Sequence, residues 1–198
     1  GVEKDVKELE KIVAKNPDSV VIIDEAYVDF GATSMLPLIN KYDNLLIVQT
    51  YSTSRSMAGA RIGMAFGNEK LIKYMNDVKF SINSYTMNRL TVAAGTAALE
   101  DEEYFKETCD KVIATRERTK VRLRELGFDM PDSKSNFVFA THESIPASDI
   151  FNAAKSAGIY LRWWNKDRIS NRLRISIGTD EEMDALFAFL KEYIEARG

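Results

Sequence analysis

The chain has 198 residues, of which 45% are hydrophobic and 29% charged, and its formal net charge is −3. This length and composition suit a globular protein with a buried core, and the small negative charge argues against nucleic acid or an anionic membrane as a partner. No apolar run approaches the roughly 20 residues that cross a bilayer. No signal peptide is recognisable, and the single Cys109 excludes a disulfide framework within one chain. We therefore expect a cytoplasmic protein.

The first hundred residues combine helical and strand patterns. Apolar residues at helical spacing predict an amphipathic helix over about 3–15. A strand is predicted over 20–24, and two more open and close the segment from Asn44 to Gly67. Helices are predicted after it, over about 69–78, 86–99 and 102–126, with a loop at 80–85.

Beyond Gly127, which stands where a glycine ends a helix, short strands alternate with helices. Thr179 and Glu182, three residues apart, predict a capping box for the last helix. The predicted strands cover about 136–141, 159–163 and 172–177, and the predicted helices about 148–157 and 180–196.

These patterns predict an α/β protein with two folded parts. Residues 1–100 are interpreted as part of a doubly wound, mainly parallel sheet. Residues 101–127 form a connecting helix, and residues 128–198 a small α+β domain.

Two motifs at strand ends carry the candidate chemistry. The strand that starts at Asn44 runs into a loop of hydroxyl residues and closes on A-G-A-R at 58–61. Hydroxyls, backbone N–H groups and a fixed arginine suit a phosphate. The strand over 20–24 ends in D-E-A-Y at 24–27. Since parallel strands present their carboxyl ends to one edge of a sheet, the two motifs predict a cofactor site.

The same motifs resemble pyridoxal-phosphate aminotransferases of fold type I, and within them the histidinol-phosphate aminotransferase group. The matching stretches are D-E-A-Y-V-D-F at 24–30, T-Y-S-T-S-R-S-M-A-G-A-R-I-G at 50–63 and L-R-I-S-I-G-T at 173–179. The resemblance runs through essentially the whole chain. It implies pyridoxal 5'-phosphate as cofactor and transamination of histidinol phosphate with 2-oxoglutarate, a step of histidine biosynthesis. It also makes residues 1–100 the C-terminal half of the large, cofactor-binding domain.

The resemblance assigns four residues to the cofactor. Asp24 pairs with the pyridine nitrogen and Tyr27 donates its phenol to the ring oxygen, while Ser52 and Arg61 bind the phosphate. On local pattern alone, an aspartate in the position of Asp24 would more often cap a loop. With both motifs present, the cofactor interpretation is favoured, and no metal site is predicted.

Thr53 is the one departure that changes the chemistry. The family has T-F-S-K where this chain has Thr50-Tyr51-Ser52-Thr53, so Thr53 occupies the position of the Schiff-base lysine. That lysine holds the cofactor and moves a proton during transamination. A threonine hydroxyl does neither at neutral pH. We therefore predict that the chain does not transaminate at a useful rate.

Three further residues match the family's substrate side. Arg174, in L-R-I-S-I-G-T, corresponds to the arginine that binds a substrate carboxylate or phosphate, because a guanidinium suits either anion. Arg162 is a weaker candidate for the same pocket, and Asn136 is expected close by. The implied partners are small-molecule amino donors and acceptors.

The resemblance also implies that the family's N-terminal half is absent. That half supplies the phosphate-cradling loop and further strands of the sheet, so an apolar sheet edge is expected to be exposed. We expect a homodimer, or another association that covers this edge.

Other interpretations stay open on the sequence alone. Aromatic amino-acid aminotransferases and a phosphothreonine decarboxylase share the pattern. A non-catalytic fragment that serves as an assembly or binding module also fits, since the lysine is missing. An unrelated phosphate-binding α/β domain leaves D-E-A-Y and L-R-I-S-I-G-T unexplained.

Overall fold

The computed structural model describes residues 1–197. The chain divides into two compact units. Glu3–Cys109 form the first, named the sheet unit. Gly1–Val2 and the residues from Asp110 onward form the second, named the C-terminal unit. The boundary lies within the stretch that the sequence assigns to a connecting helix.

The sheet unit is built on three strands, β1 (Val21–Asp24), β2 (Leu45–Thr50) and β3 (Gly63–Gly67), in the order β1-β2-β3. β1 runs parallel to β2, and β3 runs antiparallel to β2. β-branched and leucine side chains dominate β1 and β2, as is usual for strands buried in a sheet. β1 is an edge strand in the part of the chain that the structure describes.

Helices flank these strands in chain order: α1 (Val6–Lys15), α2 (Glu69–Ile82), α3 (Arg89–Glu100) and α4 (Glu102–Glu125). Aspartate or asparagine side chains accept backbone N–H bonds at the start of the first three, at Asp5, Asn68 and Asn88. α4 begins in the sheet unit and ends in the C-terminal unit. The core of the sheet unit contains Val13, Met35, Leu45 and Ile47.

The C-terminal unit has four strands, β4 (Phe128–Asp129), β5 (Phe137–His142), β6 (Arg162–Trp163) and β7 (Leu173–Ser176). They pair antiparallel in the order β4-β5-β7-β6. Two helices, α5 (Ala147–Ser156) and α6 (Asp180–Glu195), bury apolar side chains against one face of this sheet. The core there includes Val138, Ala140, Ile150, Leu173, Ile175, Met183 and Leu190.

Most predicted elements are confirmed, with boundaries shifted by a few residues. The capping box is present: the Thr179 hydroxyl accepts from the Glu182 N–H, and the Glu182 carboxylate accepts from the Thr179 N–H. Gly127 has a φ of 81°, which is strained for other residues. The loop predicted at 80–85 was wrong in its first half, because α2 continues to Ile82.

Two short strands also differ from the prediction. The strand expected over 159–163 is reduced to Arg162–Trp163. β4 was not predicted, because two residues are too few to show a period.

Asn44 holds the turn between α1 and β1 in place. Its side-chain amide donates hydrogen bonds to the backbone carbonyls of Val13 (3.1 Å), Asn16 (2.8 Å) and Ser19 (3.1 Å). Without these hydrogen bonds, water would have to satisfy the three carbonyls. The turn before β1 would then no longer be bonded to the residue that precedes β2.

We expect Asn44→Ala to lower the free energy of unfolding by about 2 kcal/mol, because several backbone carbonyls lose their donor at once. Urea denaturation followed by circular dichroism measures this. Asn165→Ala, at an exposed position, is the matched control and should change stability little. Equal stability of the two variants would contradict the anchoring role.

Candidate functional site

The strand register brings the two sequence motifs to one end of the sheet. Asp24, the last residue of β1, pairs with Val48 of β2, and Thr50 at the end of β2 pairs with Gly63 at the start of β3. β1 and β2 therefore end where β3 begins. Asp24 and Arg61 lie at this same end, on or just before the two strands that flank β2. We call it the motif end of the sheet.

The buried side chain of Glu25 fixes the D-E-A-Y turn. Glu25 is 8% exposed. Its carboxylate accepts from the Met35 N–H (2.7 Å), the Ser34 hydroxyl (2.8 Å) and the Gln49 side-chain amide (2.9 Å). Buried carboxylates need such donors, so Glu25 ties the turn both to β2 and to the loop that follows.

Turning Glu25 inward places Asp24 on the outside. The Asp24 carboxylate is exposed and accepts one hydrogen bond, from the Ala26 N–H at 2.9 Å. The remaining acceptor positions of this carboxylate face solvent. Tyr27 is half-buried and stands at the start of the 3₁₀ turn Val28–Phe30.

The hydroxyl loop after β2 is internally bonded. The hydroxyls of Thr50 and Ser52 are 2.8 Å apart, and the Ser52 N–H donates to the Thr50 hydroxyl at 3.1 Å. The Thr53 hydroxyl is 3.4 Å from that of Ser52. Ser54 is buried and its hydroxyl donates to the Asp29 carboxylate at 2.5 Å, so this side chain secures the loop.

Arg61 adopts a left-handed backbone conformation with a φ of 57°. This conformation is uncommon for a residue with a side chain and often marks a functional position. The Arg61 guanidinium donates one hydrogen bond within residues 1–197, to the Ala58 carbonyl at 3.0 Å. Most of its N–H donors therefore face solvent, at the motif end of the sheet.

Arg55 has a structural role that the sequence did not show. Its guanidinium lies 3.9 Å from the ring centroid of Phe105 and 5.4 Å from that of Tyr51, and it donates to the Ala98 carbonyl. Stacking of this kind is favourable for arginine. Arg55 thus fastens the hydroxyl loop to α3 and α4.

In the C-terminal unit, two of the predicted substrate residues share one sheet face. Arg162 and Arg174 are direct register partners on β6 and β7, and Arg174 is also opposite Phe139 on β5. Directly opposed residues of paired strands point to the same face. The Arg174 guanidinium lies 4.3 Å from the Phe137 ring centroid.

The two arginines on this face have no acidic partner among the described residues. Neither Arg162 nor Arg174 takes part in an ion pair within residues 1–197. The Arg174 Nε and the Asn136 side-chain oxygen are both buried with no hydrogen-bond partner. Buried polar atoms rarely lack a hydrogen-bond partner. A ligand with an anionic group to accept from Arg174 and a donor for Asn136 would satisfy both atoms.

The segment that leads into Asn136 is held by buried cations. Arg116 is 1% exposed and donates to the Ser135 carbonyl at 3.1 Å. Lys120 is 4% exposed and forms ion pairs with Glu117 (2.6 Å) and with Asp132. The hydrogen bond from Lys120 holds the pKa of Asp132 below its usual value of 3.8.

The sequence model of the family "Aminotransferase class I and II" matches residues 1–190. The chain belongs to this family. The aminotransferase chain is 51% identical over 196 residues to histidinol-phosphate aminotransferase from Brachyspira hyodysenteriae and 49% identical over 195 residues to the enzyme of that name from Lactococcus lactis. Each match covers 98% of this chain and 55% of the relative, so the chain spans about half the length of these curated relatives.

Solved aminotransferase structures share its fold. Histidinol-phosphate aminotransferase from Sinorhizobium meliloti in complex with pyridoxal-5'-phosphate superimposes with a TM-score of 0.81 at 28% identity, over 96% of this chain and 53% of that one. The enzyme of that name from Clostridium acetobutylicum gives a TM-score of 0.86 over 97% of this chain and 60% of that one. The predicted α/β fold class and the predicted family are confirmed.

The groups at the motif end of the aminotransferase sheet fit pyridoxal phosphate in part. A solvent-facing carboxylate at Asp24 suits a protonated pyridine nitrogen, and the Ser52 hydroxyl with the Arg61 guanidinium suits a phosphate. They do not fit covalent attachment, because the loop from Thr50 to Arg61 contains a threonine, Thr53, after Ser52 and no lysine. The cofactor would be held by charge and hydrogen bonds alone.

Two negative findings bear on other chemistry. Within residues 1–197, no cluster of three or more histidine, cysteine, aspartate or glutamate side chains is arranged to bind a metal ion. None of the helices formed by those residues has the length and hydropathy that crossing a membrane requires.

The lowered pKa of Asp132 predicts a pH-dependent stability. A carboxyl group whose folded pKa lies below its unfolded pKa stabilises the fold above the unfolded value, and this contribution is lost as the pH falls through the folded pKa. We therefore expect Asp132→Asn to reduce the free energy of unfolding by at most about 1 kcal/mol at pH 6 and by progressively less below about pH 4.

Urea denaturation at a series of pH values from neutral to acid tests this expectation. Asp167→Asn, an exposed position in the same unit, serves as control. A difference between wild type and Asp132→Asn that stays constant down to the lowest pH would rule out the Lys120 ion pair as its cause.

Proposed function

We propose that this chain is the C-terminal part of a pyridoxal-phosphate-dependent aminotransferase that acts on histidinol phosphate and 2-oxoglutarate. We also propose that the chain by itself is not a competent transaminase. The observation that carries the proposal is the register of β1, β2 and β3, which puts Asp24 and Arg61 at one end of one sheet. Relatives about 50% identical that bear the histidinol-phosphate aminotransferase name support the substrate assignment.

Each cofactor residue has a role that its surroundings allow. Asp24 would hold the pyridine nitrogen in its protonated form, and Tyr27 would donate its phenol to the ring oxygen. Ser52 and Arg61 would bind the phosphate with a hydroxyl and a guanidinium. When bound, pyridoxal phosphate supplies an electron sink for the bonds broken at the amino carbon.

The arginine face of the C-terminal unit would bind the substrate's anionic group. Arg174 has a buried Nε without a partner, and Arg162 lies beside it on β6. A side-chain carbonyl oxygen at Asn136, also without a partner, would accept a hydrogen bond from the same molecule. A carboxylate or a phosphate group satisfies both guanidinium groups, which is consistent with either an amino acid or a phosphate ester.

With Thr53 in place of a lysine, the chain lacks the amine that transamination needs for cofactor attachment and proton transfer. Its hydroxyl, 3.4 Å from the Ser52 hydroxyl, is a very weak base and cannot form an imine. Lys41 does not replace the missing lysine: it is bound to Glu10 at 2.6 Å, and this hydrogen bond raises the pKa of Lys41. An activated lysine needs a lowered pKa. Proton movement at the substrate therefore lacks its base.

The remaining predictions belong to the same proposal. We place the reaction in histidine biosynthesis and the chain in the cytoplasm. Thr53 also supports the second candidate from the sequence, a non-catalytic fragment that serves as an assembly or binding module.

The test compares wild type with Thr53→Lys in the presence of pyridoxal phosphate. We expect wild type to bind the cofactor weakly and reversibly. We expect Thr53→Lys to bind it covalently, so that after borohydride reduction the mass of the chain increases by one cofactor. Mass spectrometry and absorbance of the dialysed protein measure this. Reductive labelling of wild type at a single lysine would contradict the proposal.

Phosphate binding is tested separately. Arg61→Ala should weaken binding of pyridoxal phosphate to the Thr53→Lys chain by roughly tenfold or more, because a charged hydrogen bond to the phosphate is lost. Equilibrium dialysis gives the dissociation constants. Arg124→Ala, which removes an exposed arginine of α4, is the matched control. An equal effect of both changes would mean that Arg61 does not contact the phosphate.

A further inference from the structure

A buried network of charges joins α4 to the loop that precedes β5 in the C-terminal unit. Arg116 is 1% exposed and Lys120 is 4% exposed. Both cations bind the carboxylate of Glu117: Arg116 through its Nε (3.0 Å) and a terminal nitrogen (2.9 Å), and Lys120 at 2.6 Å. Lys120 also forms an ion pair with Asp132. We call residues 132–136 the β5 entry loop.

Stability alone is a poor explanation of this network. Burial of a guanidinium and an ammonium is costly, and replacement of a buried ion pair by apolar side chains is often neutral or stabilising. The Glu117 side chain that both cations share is 46% exposed, so solvent weakens its attraction for them. Buried ionic groups in some proteins serve instead to fix one conformation. A role in fixing the conformation of the β5 entry loop therefore suits the network better.

The Arg116 guanidinium holds the peptide bond that leads into Asn136. It donates to the Ser135 carbonyl at 3.1 Å, and this carbonyl belongs to the peptide bond between Ser135 and Asn136. On the other side, the Asn136 carbonyl accepts from the Ile177 N–H at 2.9 Å, directly after β7. The backbone of Asn136 is thus held from α4 on one side and from the end of β7 on the other.

Serine hydroxyls extend this order from the β5 entry loop into β5. Ser133 and Ser135 are buried, and their hydroxyls donate to the Phe137 carbonyl at 2.5 Å and 3.1 Å. The Phe137 ring lies against the Arg174 guanidinium, with 4.3 Å between the ring centroid and the guanidinium. Asn136 and Arg174 each have a buried polar atom without a partner. The β5 entry loop therefore ends at the groups that the anionic part of a substrate would contact.

We propose that Arg116 is a positioning residue for the binding of the substrate's anionic group. Through the Ser135 carbonyl it fixes Asn136, whose side-chain oxygen accepts from the same molecule that Arg174 binds. The inference rests on the proposed function and adds to it a residue that touches neither cofactor nor substrate. Binding groups need to be held to about 0.5 Å, and a planar guanidinium with donors in several directions is suited to that task.

The test compares Arg116→Met with wild type in the binding of inorganic phosphate, which near neutral pH carries both an O–H donor and acceptor oxygens. Methionine removes the donors of Arg116 and keeps an unbranched side chain. The NMR signal of the Arg174 Nε–H reports binding at this site. We expect saturable binding in wild type and at least fivefold weaker binding in Arg116→Met. Equal dissociation constants for the two folded proteins would overturn the inference.

Thr119→Ala is the matched control. Thr119 is also buried in α4, but its hydroxyl donates within the helix, to the Thr115 carbonyl at 2.7 Å. This change should alter the phosphate affinity less than twofold. Urea denaturation measures how much each of the two variants is destabilised. A loss of affinity that parallels the loss of stability in both variants would mean that Arg116 has only a structural role.

A double-mutant cycle with Asn136→Ala tests how Arg116 acts. If Arg116 acts through Asn136, Arg116→Met should weaken phosphate binding by less than twofold in a chain that already carries Asn136→Ala, because the group that it positions is gone. Two effects that multiply in the double variant would show that Arg116 acts independently of Asn136, contrary to the inference.

A measurement on wild type alone covers the case in which Arg116→Met does not fold. Phosphate should shift the side-chain amide signals of Asn136 and the Nε–H signal of Arg116, since the Ser135 carbonyl links the two residues. A titration that shifts the Arg174 signal and neither of these would refute this inference alone. Absence of any phosphate effect at Arg174 would refute the anion site of the proposed function, and this inference with it.

Discussion

The hydrogen-bond register of β1, β2 and β3 is the constraint on which the candidate cofactor site depends. β1 and β2 end together, and β3 starts where they end, so residues far apart in sequence are brought to one sheet end. The buried Glu25 carboxylate reinforces this register from inside, because it bonds to β2 and to the loop after β1. Asp24 owes its outward position to this buried neighbour. The exposed charge that a cofactor would contact thus depends on a buried charge that it never touches.

The two candidate anion-binding regions are built differently. At the motif end of the sheet, the candidate groups are an arginine with a left-handed backbone and the hydroxyls of the loop after β2. In the C-terminal unit, arginines stand opposite each other on neighbouring strands, where like charges are unfavourable without an anion between them. Neither of these opposed arginines, Arg162 and Arg174, takes part in an ion pair within residues 1–197.

Much of the fold and of the candidate site could be predicted from the sequence, and the features that could not be predicted have physical explanations. Strand and helix positions follow from hydrophobic periodicity, and the three-residue spacing of Thr179 and Glu182 is typical of a capping box. Glu25 could not be separated from Asp24, since both are acids at a strand end and only the direction of the turn decides which is buried. The contacts of Arg55 and Ser54 could not be predicted for a similar reason: their partners Phe105, Ala98 and Asp29 are distant in sequence. The extension of α2 to Ile82 could not be predicted, because the sequence of residues 80–85 is equally compatible with a loop.

The left-handed backbone at Arg61 has an implication for how such a chain would change over time. Glycine adopts this conformation without steric cost, whereas arginine is disfavoured there by about 1 kcal/mol. A sequence under selection for folding alone would drift toward glycine at this site, since nothing in the loop bonds to the arginine except the Ala58 carbonyl within residues 1–197. The backbone of this loop therefore favours glycine, whereas binding of an anion would favour arginine.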